Sequence, residues 1–252
     1  MYYLIFDLEF NQAFGEALKN PKNEKCPFEI IQIGAYKLDE ALQEVGTFDA
    51  IIKPTLYPKM HPFIGELTNI KQEQLDMAKP FKEIFQDFLE FIGDTENIYC
   101  VWGMGDLKEL YRNVIFHGFK KEFHIERYIN IQRYASKHFQ LPSGNLIGLR
   151  NAVEFLNIPI DKSLHDAFND AYFTKEVFKI LEINKMKPKI YSYNLTKTTI
   201  KRKPKKKINY KGLIAQFEKM YDREISEEEK AIIILAFKMG MTGQFQKIDK
   251  PK

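Results

Sequence analysis

The chain has 252 residues, of which 44% are hydrophobic, and its formal net charge is +4. This length suits one good-sized domain with an appendage, and no apolar run approaches the roughly 18 residues of a membrane-spanning helix. Acidic residues at positions 7 and 9 interrupt the apolar start, so no signal peptide is expected. Cys26 and Cys100 cannot form a disulfide framework, which favours reduced thiols in a cytoplasmic protein.

The first predicted element is a buried strand from Tyr2 to Phe6, followed by Asp7 and Glu9. Alternate side chains of a strand point to one face, so the two carboxylates share a side. Neighbouring buried carboxylates repel each other and are costly to desolvate. A divalent cation such as Mg²⁺, which prefers oxygen ligands, relieves both costs. A solvated strand end that turns into a loop is the alternative.

The next two strands continue as an antiparallel meander. Residues 29–38 and 48–53 are rich in β-branched side chains and are predicted strands. The polar residues 11–27 and the proline-rich residues 54–62 are predicted loops.

Helices and one central strand follow. Thr68 is a predicted N-cap of a short helix over 68–75. Apolar residues at helical spacing predict an amphipathic helix over 81–92, and the apolar residues 98–102 predict a buried fourth strand. Asp106 then opens a helix, either as an ordinary cap or as a functional acid.

Three more helices are predicted over 128–139, 144–156 and about 165–183. Strands first, then helices alternating with a strand, predict an α/β sandwich with a mixed sheet.

The last of these helices combines small and acidic residues near its start. Ala167 and Ala171, four residues apart, allow a close approach to the sheet, and Asp170 lies toward the same side. An acid that faces the sheet is expensive unless it meets a cation. His165, at the helix entrance, would lie over the same spot, although a single histidine is more often structural.

These residues carry a resemblance to a known family. Asp7-x-Glu9, Trp102-Gly-Met-Gly-Asp106 and His165-x-x-x-x-Asp170 resemble the three motifs of the DEDDh 3′→5′ exonucleases, the DnaQ-like branch of the ribonuclease-H-like fold. The flanks at 29–35 and 148–159 resemble that family too, and the similarity covers residues 2–183. Within the family, the chain looks most like the histone-mRNA-exonuclease and sporulation-inhibitor-like group.

The resemblance implies a ribonuclease-H-like mixed five-stranded sheet flanked by helices. The residues from 185 onward lie outside it, and their own pattern predicts a small C-terminal helical appendage. The predicted divisions are an exonuclease domain over 1–184, a basic linker over 185–209 and a helical extension over 210–252. Two departures from the family pattern are Met104-Gly105 before Asp106, where a small polar residue is common, and the long insertion over 11–27.

The resemblance also implies a catalytic apparatus with two Mg²⁺ or Mn²⁺ ions. Asp7, Glu9 and Asp170 would hold one ion, and Asp7 would bridge to a second, with Asp106 helping directly or through water. His165 would act as the general base. The implied reaction releases nucleoside 5′-monophosphates from single-stranded RNA or DNA 3′ ends, with RNA somewhat favoured.

Two further residues are weaker candidates for substrate contact. Phe10 could stack on the terminal base. Glu29 could orient the residues of the site or contact the sugar. Alternatively, it is a solvent-exposed acid at the start of a strand with no functional role. Core packing is expected for Trp102.

The positive charge is concentrated near the C-terminus. Residues 197–207 contain seven Lys or Arg and no acid, so the remaining chain is slightly acidic. Lys201 to Lys207 could contact nucleic acid with salt-dependent affinity, or the run could be a solubilising linker. Beyond it, a short helix around 213–221 and an apolar helix over 231–239, ended by Gly240, follow, with a capping box at Ser226 and Glu229.

Two other functional hypotheses stay open from the sequence. The chain could be a regulatory nucleic-acid-binding or protein-binding module that keeps the exonuclease fold, but the complete set of acids and histidine argues against it. An endonuclease of the wider ribonuclease-H-like class leaves His165 unexplained.

Overall fold

The computed structural model of the chain describes residues 1–15, 25–119, 123–142, 144–181, 186–193 and 209–242. The chain divides into two compact units, residues 1–193 and 194–252. The basic run with Lys201 to Lys207 lies outside the described residues, as does the middle of the insertion over 11–27. Across the described ranges, no helix is both long and apolar enough to cross a membrane.

The first unit is built on one mixed sheet. Its strands are β1 (Tyr2–Gln12), β2 (Phe28–Leu38), β3 (Glu44–Lys53), β4 (Lys79–Pro80), β5 (Asn97–Val101), β6 (Arg127–Asn130) and β7 (Lys189–Ile190). Their order is β4-β3-β2-β1-β5-β6-β7. β1, β2 and β3 pair antiparallel, whereas β5 runs parallel to β1 and β6 parallel to β5. The prediction of five strands misses two two-residue strands, β4 and β7, which extend the sheet at its two edges.

Helices cover both faces of this sheet, which confirms the predicted α/β sandwich. The helices of the first unit are α1 (Pro62–Thr68), α2 (Gln72–Met77), α3 (Phe81–Ile92), α4 (Gly105–Phe116), α5 (Ile131–His138), α6 (Leu149–Phe155) and α7 (Ala167–Ile180). Buried side chains of α3 and α4 form a core on one face. Those of α5, α6 and α7 form a second core on the other face.

Strand β1 separates the two cores by the alternation of its side chains. Leu4, Phe6 and Leu8 enter the core of α3 and α4, whereas Ile5 enters the core of α5, α6 and α7. Asp7 and Glu9 continue the odd-numbered face, so they point toward the α7 side of the sheet.

Several predicted boundaries are wrong for local reasons. The predicted helix over 128–139 begins only at Ile131, because 127–130 pair with β5 as a strand and the Asn130 side chain caps α5 by accepting from the amide of Arg133. Thr68 does not begin a helix but ends α1, where its hydroxyl donates to the carbonyl of Ile64.

The second unit contains two described helices, α8 (Tyr210–Tyr221) and α9 (Glu227–Thr242). The predicted capping box is present, since Ser226 accepts from the amide of Glu229 and the Glu229 carboxylate accepts from the amide of Ser226. Gly240 lies inside α9 and does not end it.

Candidate active site

Three carboxylates from two distant parts of the chain converge at the end of β1. Oxygen atoms of Asp7, Glu9 and Asp170 all lie within 4.8 Å of one another. The first two follow from the alternation of β1, and the third comes from the first turn of α7. The acid pair and the helix acid predicted from the sequence are therefore neighbours in space.

The close approach of α7 to β2 brings Asp170 to this position. Gly34 on β2 stands directly opposite Asp7 on β1. A Cβ atom on Gly34 would lie 2.2 Å from the backbone nitrogen of Phe168 and 2.4 Å from the carbonyl oxygen of Ala167. Ala167 and Ala171 are fully buried. Small residues on both elements thus set the separation, and Asp170 lies one turn further along α7.

Gln32 fixes the beginning of α7, a role that was not predicted from the sequence. Its side-chain oxygen accepts from the amide of Ala167 at 3.1 Å, and its nitrogen donates to Asp166 at 3.2 Å and to Asp49 at 3.0 Å. Asp166 also caps α7 by accepting from the amide of Asn169. A glutamine on a buried strand needs hydrogen-bond partners. The polar Gln32 within an apolar run was therefore the feature of the sequence from which a structural role could have been predicted.

Asp106 reaches the site from the other layer of the sandwich. It lies in the first turn of α4, which begins just after the carboxyl end of β5. A helix N-terminus favours negative charge. Asp106 is not a member of the 4.8 Å group, but its charge raises the pKa of both Asp7 and Glu9.

The acids make one another harder to ionise. Burial, with the charges of Asp106, Asp170 and Glu9, raises the pKa of Asp7 well above its usual range. Burial and the neighbouring carboxylates raise the pKa of Glu9 to about 8. Burial raises the pKa of Asp106 to about 7 and that of Asp170 to about 6. Four acids arranged in this way repel each other unless positive charge lies among them.

The donor set fits a hard divalent cation. All the converging groups are carboxylates, the ligands that Mg²⁺ and Mn²⁺ prefer. One oxygen of Asp170 is buried and accepts no hydrogen bond from the described residues. An unsatisfied buried carboxylate oxygen is costly, and a metal ion would satisfy it.

His165 lies beside this cluster, in the loop before α7. Its backbone amide donates to Asp170 at 3.3 Å, and its backbone adopts a left-handed conformation with φ of 64°. The residue is exposed. Asn169 holds the same loop by donating to the carbonyl and hydroxyl of Ser163. The predicted long helix begins at Ala167, so the imidazole belongs to a loop held from both sides.

The two aromatic residues near the acids differ in their surroundings. Phe10 is partly buried at the end of β1, where its ring meets that of Phe28 edge to face at 6.3 Å. Trp102 packs against the core of α5, α6 and α7, as expected. Its indole nitrogen is buried and donates to no described residue.

Glu29 is buried and serves the loop after β3. Its carboxylate accepts from the amides of Thr55, Leu56 and Tyr57 at 2.6 to 2.9 Å and from the hydroxyl of Thr55. These bonds account for the acid without any substrate, so its alternative as a solvated strand start is wrong. A contact of Glu29 with the sugar stays a prediction.

The two cysteines are buried and unbridged. Cys26 and Cys100 are each fully enclosed, and burial raises the pKa of the Cys26 thiol to about 12. Neither thiol is suited to nucleophilic chemistry.

Comparisons with known proteins agree with this geometry. Residues 4–178 match the model of a protein family described as exonuclease, RNase_T. The chain is 29% identical over 192 residues to the probable 3′-5′ exonuclease KapD of Bacillus subtilis (strain 168), a match that spans 74% of this chain and 88% of that protein.

Solved structures share the fold. The nuclease domain of 3′hExo, a DEDDh family member bound to rAMP, superposes with a TM-score of 0.63 at 19% identity, covering 77% of this chain and 97% of that one. Exonuclease I of E. coli in complex with a 5cy-dT13 oligonucleotide gives a TM-score of 0.55 at 16% identity, covering 73% and 41%. The predicted ribonuclease-H-like exonuclease fold is confirmed.

Proposed function

This chain belongs to the exonuclease family that its residues 4–178 match, and we propose that it is a metal-dependent 3′→5′ exonuclease acting on single-stranded RNA or DNA. The observation that carries the proposal is the convergence of Asp7, Glu9 and Asp170 within 4.8 Å. The similarity to the probable 3′-5′ exonuclease KapD of Bacillus subtilis supports the 3′→5′ polarity.

The acids are assigned as the ligands of two Mg²⁺ or Mn²⁺ ions. Asp7, Glu9 and Asp170 would hold one ion, and Asp7 with Asp106 would hold the second, Asp106 directly or through water. When bound, such a pair stabilises the attacking and leaving oxygens of an in-line phosphoryl transfer. The buried and unsatisfied oxygen of Asp170 supports this assignment.

His165 is assigned as the general base. Imidazole is the side chain best suited to accept a proton from water at neutral pH. The amide of His165 donates to Asp170, so the loop that carries the proposed base contacts a proposed metal ligand. Its exposure leaves the ring accessible to a substrate that enters from solvent.

Phe10 is assigned to the terminal nucleotide. It follows Glu9 directly on β1 and is only partly buried. A ring at this point can stack on the last base irrespective of its identity. The product would be a nucleoside 5′-monophosphate, and the strand would shorten from its 3′ end.

The test uses 5′-labelled RNA and DNA oligonucleotides with either a free or a blocked 3′ end. Wild-type chain with Mn²⁺ or Mg²⁺ should shorten the free 3′ ends stepwise and stop with EDTA. Asp170→Asn should abolish the reaction, and His165→Ala should lower kcat by about 10²–10⁴-fold. His124→Ala is the matched control, because His124 is exposed before the amino end of β6, at the opposite edge of the parallel strands.

Other results would contradict the assignment. Undiminished shortening by folded Asp170→Asn protein, or in excess chelator, would exclude the metal site. Equal cleavage of blocked and free strands would indicate an endonuclease.

A further inference from the structure

A cavity of about 360 Å³ opens beside the proposed active site and is not part of it. Three elements of the first unit form its walls: the turn before α4, the segment from the end of β6 into α5, and the stretch containing β7. The lining residues are Met104, Tyr128, Asn130, Arg133, Tyr134, Lys137, Lys187 and Lys189.

The cavity and the acid cluster lie at the same end of the parallel strands of the sheet. β1, β5 and β6 are parallel neighbours, with Ile5 opposite Cys100 and Val101 opposite Asn130. The carboxyl-terminal ends of these three strands therefore lie side by side. Adjacent strands are about 4.8 Å apart, so β6 lies roughly 10 Å from β1. Met104, which lines the cavity, precedes Asp106 by two residues in the chain.

The wall is strongly cationic. Arg133, Lys137, Lys187 and Lys189 line it, and no lining residue is acidic. All four are exposed, and within the part of the chain that the structure describes none of them makes an ion pair. Arg112, by contrast, is paired with Glu109 at 2.9 Å. The cavity thus holds an uncompensated positive charge beside a site that carries negative charge.

Two tyrosines give the cavity a defined shape. The Tyr134 hydroxyl accepts from the amide of Lys187 at 2.9 Å and donates to its carbonyl at 3.2 Å. This pair of bonds fixes the segment with Lys187 and Lys189 against α5. The Tyr128 ring packs edge to face on Tyr191 at 5.7 Å. The backbone that carries the cations is therefore fixed in place, and two tyrosine rings line the cavity beside them.

We infer that this cavity binds the sugar-phosphate backbone of the substrate strand on the 5′ side of the nucleotide being removed. The inference rests on the proposed function and deepens it. A nucleic-acid strand whose 3′ end lies among the acids must extend away from the site over the neighbouring surface. The four unpaired cations of the cavity provide positive charge for its phosphates. The tyrosine rings offer stacking surface to bases of any sequence.

This subsite predicts a dependence on strand length. A mononucleotide ester or a dinucleotide would engage only the acids, His165 and Phe10. A longer strand would also reach the cavity, so its KM should fall with length and then level off. Removing one cation that binds a phosphate should reduce the slope of log affinity against log salt by about 0.7 for a single strand.

The experiment compares two double variants on separate elements, Arg133→Gln with Lys137→Gln on α5, and Lys187→Gln with Lys189→Gln on the β7 segment. The control is Lys79→Gln with Lys82→Gln, which removes equal charge at the opposite edge of the sheet, around β4. Substrates are oligouridylates and oligothymidylates, from dinucleotide to dodecamer, and the p-nitrophenyl ester of thymidine 5′-monophosphate. The RNA and DNA arms show which backbone the cavity accepts.

For either cavity variant we expect the ratio of kcat/KM on the dodecamer to kcat/KM on the ester to fall about tenfold. The slope of log affinity for the dodecamer against log salt should be smaller by about 1.4, because two cations are removed. The control should keep the wild-type ratio. An unchanged ratio and length profile in both folded cavity variants would overturn the subsite. If wild-type chain hydrolyses neither the ester nor any oligonucleotide, the proposed function itself fails, and the subsite with it.

Discussion

At the scale of single residues, Gly34 sets the separation between β2 and α7. The backbone of Ala167 and Phe168 occupies the space that a Cβ atom would need, with distances of 2.2 to 2.4 Å. Backbone atoms cannot yield as the end of a flexible side chain can. The residue opposite Asp7 must therefore be glycine if Asp170 is to reach the acid pair.

Gly34→Ala should destabilise the chain and weaken the metal site together. Pushing a packed helix away from a sheet costs about 1–3 kcal/mol, and the displacement would separate Asp170 from Asp7. Urea unfolding and Mn²⁺ titration measure the two effects. Gly148→Ala is the control, because a Cβ there meets nothing within 4 Å and its φ is −72°. Wild-type stability and Mn²⁺ affinity in Gly34→Ala would show that α7 does not depend on this contact.

At the scale of elements, the loop between β3 and α1 is held by one buried acid from β2. Glu29 accepts from three consecutive amides, those of Thr55, Leu56 and Tyr57. The Tyr57 carbonyl in turn accepts from Asn11 at the end of β1. The loop that follows the third strand is thus tied to the strand that carries Asp7 and Glu9.

Glu29→Gln should reduce the free energy of unfolding by about 1–3 kcal/mol, because the new amide group would face backbone donors. The steady-state KM should change little if Glu29 serves only the loop. Glu66→Gln, at an exposed position of α1, is the matched control. A raised KM with unchanged stability would instead support the predicted contact of Glu29 with the sugar.

At the scale of the whole molecule, the acid cluster couples stability to pH and to divalent cations. The folded chain holds these carboxyls with pKa values raised to about 8 for Glu9, about 7 for Asp106 and about 6 for Asp170. The unfolded chain releases the same protons near pH 4. Between these values the folded state binds more protons, so the stability of the metal-free chain should fall as pH rises from about 4 to 8.

Divalent cations should reverse that loss. Ligands must be deprotonated to bind metal, so affinity should increase with pH. At a concentration of about 100 times Kd, binding adds about 2.7 kcal/mol, which corresponds to a rise in Tm of roughly 5–10 °C. Thermal unfolding with Mn²⁺ and with EDTA at pH 6 and pH 8 measures this. A Tm that Mn²⁺ does not raise at pH 8, or that it raises equally in Asp170→Asn, would contradict the metal assignment.

Much of the architecture follows from local pattern. The strand with the acid pair, the amphipathic helix α3 and the apolar strand β5 were predictable because period and composition report burial directly. The strand β6 was not, since four residues of mixed character become a strand only by pairing with β5. Pairing also creates β4 and β7, which are two residues long and carry no periodicity.

The sequence by itself determined which side chains could do the chemistry: acids at the end of a buried strand, an acid at a helix start, and a histidine five residues before another acid. Only the tertiary structure decided that Asp170 meets Asp7, that Gln32 clamps α7, that Glu29 ties down a loop, and that the cations of α5 and β7 share one wall. The reason is physical. Hydrophobic period and local charge depend on residues that are close in the sequence. The close approach of α7 to the sheet depends instead on the absence of a side chain at Gly34, more than a hundred positions earlier in the chain.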